Sequence, residues 1–171
     1  SSFVSLFAKE IGIEHIAGFF FIVFGIVMIL SRPFTGRWFD NFGPNVIIYP
    51  ALCLYIIGTI VLSFTSNGFL YLLAAVIIGL GYGATTPSFQ TISVQSAVNR
   101  SGAATATYFF FFDSGFGIGA YVNGIIQAKA GFPVMFLTCS AIVVCTLCLY
   151  YFLTHRKTKL RAKVEQEISF N

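Results

Sequence analysis

A single carboxylate, Asp113, stands in the middle of an apolar run, Tyr108-Phe109-Phe110-Phe111-Phe112-Asp113-Ser114-Gly115. About ten residues of the run precede it, roughly 15 Å of helix at 1.5 Å per residue, which is half the thickness of a hydrocarbon core. A carboxylate at that depth costs about 3 kcal/mol or more unless it is protonated, paired or hydrated. Two readings of Asp113 stay open: proton coupling or recognition of a cationic substrate, and a fixed interhelical hydrogen bond. No other acid or base stands inside the apolar runs, so an ion-pair partner has to come from outside them.

Polar side chains gather elsewhere around one proline: Thr85, Thr86, Ser88, Gln90, Thr91, Ser93 and Gln95 surround Pro87. Tyr82, Thr86 and Gln90 recur every four residues and share a helix face. They line a substrate path or bond across helices near the membrane rim. Asn123 is a further lining candidate, with Gln127 and Tyr55 behind it. Gly79 and Gly83 in one run, and Gly115 and Gly119 in another, form small-residue faces that let neighbouring backbones approach closely. Pro87 removes a helical hydrogen bond, which predicts a bend near residues 83–87.

Helices must position these groups. The chain of 171 residues is 57% hydrophobic and only 9% charged, against about a quarter charged in soluble domains. Five apolar segments, residues 15–30, 46–64, 69–94, 103–128 and 132–153, are each long enough to cross a bilayer as helix. They lack the alternation of a membrane β-strand, and in lipid every backbone group must bond within its own segment. The predicted fold is therefore all-α and polytopic, with five transmembrane helices. Residues 1–8 read as the end of a sixth whose beginning, with everything before it, is missing. Residues 1–154 form the bundle and residues 155–171 a basic tail, in which Leu160, Val164 and Ile168 mark one face of a short amphipathic helix or a frayed end.

On alternate sides of the five crossings, one side collects Arg32, Arg37, Arg100, Arg156, Lys157, Lys159, Arg161 and Lys163, the other only Lys9 and Lys129. This bias puts the first set, and the carboxy terminus, in the cytoplasm. The basic residues sit in breaks between apolar runs, which argues against nucleic-acid binding. Cys53, Cys139, Cys145 and Cys148 lie in apolar text and read as buried, unpaired thiols. No His cluster, nucleophile–base pair or metal-spaced set occurs at one depth, so no enzyme, cofactor or metal site is expected.

The densest break is residues 32–45. Pro33 and Pro44 can begin helical stretches, Gly36 and Gly43 permit tight turns, and Asp40 can accept bonds from a helix start or meet Arg37. It reads as a structured, conformationally important loop.

At that loop, Gly36-Arg37-Trp38-Phe39-Asp40-Asn41-Phe42-Gly43-Pro44-Asn45 resembles the loop signature of the major facilitator superfamily, with Gly36, Asp40 and Gly43 in register. Asn41, Pro44 and Asn45 replace basic positions, as in the weaker copy between the eighth and ninth helices. The run Phe112-Asp113-Ser114-Gly115-x-Gly117-x-Gly119 is similar to the eleventh helix of bacterial drug and metabolite exporters of that superfamily. The resemblance implies the end of helix 7 through helix 12, that is, the carboxy-terminal half of a multi-pass bacterial cell-membrane transporter. It implies a missing amino-terminal six-helix half and proton-coupled efflux of small organic or amphiphilic compounds, with two bundles rocking around a central site. An uptake symporter of the same superfamily and a non-transporting membrane scaffold are the alternatives.

Overall fold

The computed structural model describes the backbone of residues 2–97 and 100–169 and the side chains of residues 3–97 and 100–154. It is all-helical: α1 (Ser2–Glu10), α2 (Glu14–Phe42), α3 (Pro44–Ser63), α4 (Gly68–Gln95) and α5 (Ser101–Ser169). Glycines make the sharpest breaks. Gly12 (φ 74°) separates α1 from α2, and Gly43 (φ 81°) separates α2 from α3, with Pro44 opening the next helix. Pro44 suits that position because it lacks only an N–H that no helical carbonyl would have received.

One expectation about the elements needs correction. Residues 32–42 are not a loop: α2 runs on to Phe42, carrying Pro33 inside it and Asp40 in its last turn. The sequence lacks the apolar marker there, but Pro33 removes only one bond, and the rest of the backbone ladder carries the helix past it. The first three predicted segments lie in α2, α3 and α4, and the fourth and fifth both lie in one long apolar element, Ser101–Thr154. That element is broken at Gly131 (φ 83°, ψ 174°). The Cys139 thiol meets Asn123 Oδ1 at 3.5 Å, although a straight helix would hold residues sixteen apart about 24 Å from each other. Residues 101–130 and 132–154 are therefore the two limbs of a hairpin.

The second limb runs antiparallel to α3: Ser63 Oγ donates to the Pro133 carbonyl at one end, and Tyr150 Oη donates to Asn45 Oδ1 at the other. Helices α2 and α4 run parallel. A Cβ on Gly79 would lie 3.1 Å from the Phe24 carbonyl, and one on Gly83 would lie 2.6 Å from Ser31 Oγ. Gly81 packs as tightly against α3, where a Cβ would come within 2.7 Å of the Ala51 carbonyl and the Tyr55 nitrogen. Such approaches maximise dispersion contacts where no hydrophobic force drives helices together.

One core cluster gathers Phe7, Phe20, Leu62, Tyr71, Ala74, Ala75, Phe132, Met135 and Phe136 from all five helices, and a smaller one joins Ile47, Ala51 and Ala84 with Phe39. Outside them, many large apolar residues face outward, among them Phe19, Ile22, Ile26, Phe110 and Phe152. A surface of that kind suits lipid and not water. Cys53, Cys145 and Cys148 share it, so these thiols are unpaired but exposed, while Cys139 is half-buried. Interior hydroxyls satisfy themselves locally: Thr59, Thr85, Ser88 and Thr91 each donate to the carbonyl four residues earlier. Helix α4 continues through Pro87 without a break. The α5 backbone remains helical to Ser169, while the expected face of Leu160, Val164 and Ile168 lies outside the described side chains.

Candidate functional site

Asp113 sits twelve residues into the first limb of α5, about 18 Å from Ser101 along the axis. Its side chain is exposed in this chain. Phe109, Phe110 and Phe116, the neighbours one turn away, are exposed with it. No basic side chain pairs with it among the described residues. A carboxylate among three outward-facing rings offers charge and aromatic faces together, the combination that attracts an organic cation or a proton.

The polar face of α4 is a different place. Tyr82 places its ring between Phe24 of α2 and Tyr55 of α3, with centroids 6.0 and 6.3 Å away. Tyr108, from the first limb of α5, donates to the Thr86 carbonyl at 3.1 Å. Thr86 and Gln90 are half-buried below it. Asn123 Oδ1 accepts a bond from the Cys139 thiol. The interior thus carries a run of three polar contacts, Tyr108 on Thr86, Tyr82 on Tyr55 and Cys139 on Asn123, contributed by α3, α4 and both limbs of α5.

Asp113 does not join that run. It lies five residues beyond Tyr108, about 140° around the helix at 100° per residue, so the turn that brings Tyr108 to Thr86 aims Asp113 away from it. The candidate residues therefore divide into an interior group (Tyr82, Thr86, Gln90 and Asn123) and an outward carboxylate. Tyr108 and Cys139 were not singled out as lining groups from sequence. Tyr108 carries a signal only in retrospect, as the polar end of an otherwise all-Phe run.

The glycines divide too. Gly79 and Gly83 are in close contact with α2, whereas a Cβ on Gly115 or Gly119 would meet nothing within 4 Å. In the last turns of α2, Gly36, Arg37 and Asp40 are exposed, and no ion pair joins Arg37 to Asp40 among the described residues. Gly43 makes the break to α3. No group of three His, Cys, Asp or Glu side chains converges as a metal site among the described residues.

Long apolar helices, small-residue crossings and a lipid-facing exterior define a multi-pass helical membrane protein. The family model described as Major Facilitator Superfamily matches residues 1–170, and the chain belongs to that superfamily. Membership sets it among transporters and not enzymes. It is 29% identical over 157 residues to the multidrug resistance protein MdtG of Enterobacter lignolyticus (strain SCF1), covering 91% of this chain and 37% of that protein. It is 27% identical over 146 residues to MdtG of Salmonella arizonae, and equally to that of Salmonella paratyphi B, covering 82% of this chain and 36% of each relative. The chain spans little more than a third of the length of these relatives. No solved structure matches it.

Proposed function

We propose that this chain is the carboxy-terminal half of a proton-coupled exporter of small organic or amphiphilic compounds, with Asp113 as the group that exchanges the proton or receives a cationic substrate. The observation that carries the reading is an exposed carboxylate, without an ion-pair partner among the described residues, about half a membrane thickness into a limb whose Gly115 and Gly119 are free to accept a close neighbour. A charge so placed is costly in lipid and is characteristic of an ion or substrate pathway. The relatives' designation as multidrug resistance proteins favours export.

In this reading the chain crosses the membrane five times after α1, counting the two limbs of α5 separately. These helices correspond to helices 7 to 12 of the family fold, with the carboxy terminus cytoplasmic and residues 155–171 as its tail. The absent amino-terminal half packs on the Gly115/Gly119 side and covers Asp113. Tyr82, Thr86, Gln90 and Asn123 contribute to the substrate cavity, and Gly36, Arg37, Asp40 and Gly43 stabilise one face of the cycle.

The test is the complete protein in liposomes under an imposed pH gradient. Substrate-dependent proton flux should disappear in Asp113→Asn while the protein remains folded. Undiminished coupled flux in that variant removes Asp113 from the mechanism.

A further inference from the structure

Helix α2 is longer than a crossing requires. Its 29 residues extend about 43 Å at 1.5 Å per residue, against a hydrocarbon core of about 30 Å. Counted from Ile16, just after the exposed Glu14 and His15, about twenty residues fill the core, and the helix leaves it near Thr35. The last two turns therefore stand at the headgroup level.

That end carries Phe34, Trp38 and Phe42 at intervals of four, exposed by 65%, 58% and 66%. The stripe continues the outward row of Ile22, Ile26 and Leu30 on the spanning part of the helix. Where the core ends the stripe carries Trp38, the residue type that with Tyr marks a membrane–water boundary, flanked by two phenylalanines. Trp38 is two residues from both Gly36 and Asp40 and so points about 160° away from each. The small and acidic side of the helix is thereby separate from the aromatic side. Because α2 and α4 run parallel, Arg100 emerges at the same end as Arg32 and Arg37. All three are exposed, and Asp40 is the one acid opposing them there among the described residues.

We infer that the last turns of α2 form an interfacial docking surface for anionic phospholipid. Phe34, Trp38 and Phe42 sit at the boundary of headgroups and acyl chains, and Arg37, beside Trp38 in sequence, pairs with lipid phosphate. An arginine reaches phosphate with two donors at once and stays charged, so it suits that contact better than a neutral side chain. The surface would hold the α2–α3 break at Gly43 at a set membrane depth. It stands independently of any role for Asp113.

Trp38 is the one tryptophan of this chain, which makes it its own probe. The complete protein and its Trp38→Phe variant would be placed in vesicles of phosphatidylcholine and phosphatidylglycerol, with one lipid brominated at a time. The difference in emission between the two proteins isolates Trp38. Bromines near the glycerol end should quench it more strongly than bromines near the chain end, and brominated phosphatidylglycerol more than brominated phosphatidylcholine at equal fraction. Arg37→Gln should abolish the preference for phosphatidylglycerol and leave the depth dependence. Absence of quenching by either lipid overturns the surface, because Trp38 would then lie against protein or in water. Equal quenching by the two lipids overturns its anionic selectivity. Should Trp38→Phe fold poorly, the added quenching in a Phe42→Trp variant gives the same reading.

Discussion

The Tyr71 hydroxyl donates to the Val4 carbonyl at 2.9 Å, joining two residues 67 positions apart in sequence. Tyr71 is fully enclosed, and its ring stacks obliquely on Phe20 at 4.8 Å. One side chain thus fastens α1 to α4 while packing against α2. Tyr71→Phe should keep the ring and lose the bond, costing about 1 kcal/mol. Tyr71→Ala removes both and should cost about 3–5 kcal/mol, as for other buried aromatic truncations. Thermal unfolding of the complete protein in detergent reads the difference; no loss in Tyr71→Phe would mean the hydroxyl contributes nothing.

Gly81→Ala and Gly115→Ala should move stability in opposite directions within this chain. The new methyl at position 81 collides with backbone atoms of Ala51 and Tyr55, which cannot rotate aside, and overpacking of that kind costs about 1–3 kcal/mol. At position 115 it meets open space, so only the helix preference for alanine acts, up to about 1 kcal/mol in its favour. Transport lost in Gly115→Ala with stability retained would locate a close contact from outside this chain.

The hairpin in α5 can be trapped covalently. Asn123→Cys, in a background where Cys53, Cys145 and Cys148 are replaced by alanine, should form a disulfide with Cys139 under mild oxidation. Mass spectrometry of a digest reads the cross-link. A straight helix through Gly131 would leave the two thiols about 24 Å apart, and no intramolecular bond would form.

Gly43→Ala and Gly131→Ala should each be damaging although neither methyl meets a clash that forbids it. Both residues combine φ above 80° with an extended ψ, a region essentially closed to side chains that costs about 1–3 kcal/mol to occupy. Lower folded yield and earlier unfolding than for Gly36→Ala, which sits within regular helix, is the expected order.

Tyr150→Phe removes the 2.7 Å bond to Asn45 and keeps ring contacts with Tyr49 and Phe89. Combined with Asn45→Ala in a double-mutant cycle, it should yield a coupling of about 0.6 kcal/mol, the typical value for interhelical bonds in membranes. Zero coupling would show that the two helix ends are held by the rings alone.

Helix type and membrane residence were legible in the residues themselves. Unbroken apolar runs leave the backbone no partner in lipid except itself, so the fold class follows from composition and local order alone. Asp113 was equally legible, as one charge in a field of Phe. Helix ends were less so: Pro33 and the polar text after it concealed the continuation of α2, although Lys129-Ala130-Gly131 marked the place where α5 reverses.

The pairing of faces came only from the tertiary structure. In water, a helix announces its buried side by an apolar stripe against a polar one. In lipid both sides are apolar, and the inward face of α4 differs from its outward face by little more than where the glycines fall. Hence Gly83 against Ser31, Tyr108 on Thr86 and the outward aim of Asp113 had to be decided by close packing among whole helices, which no local period records.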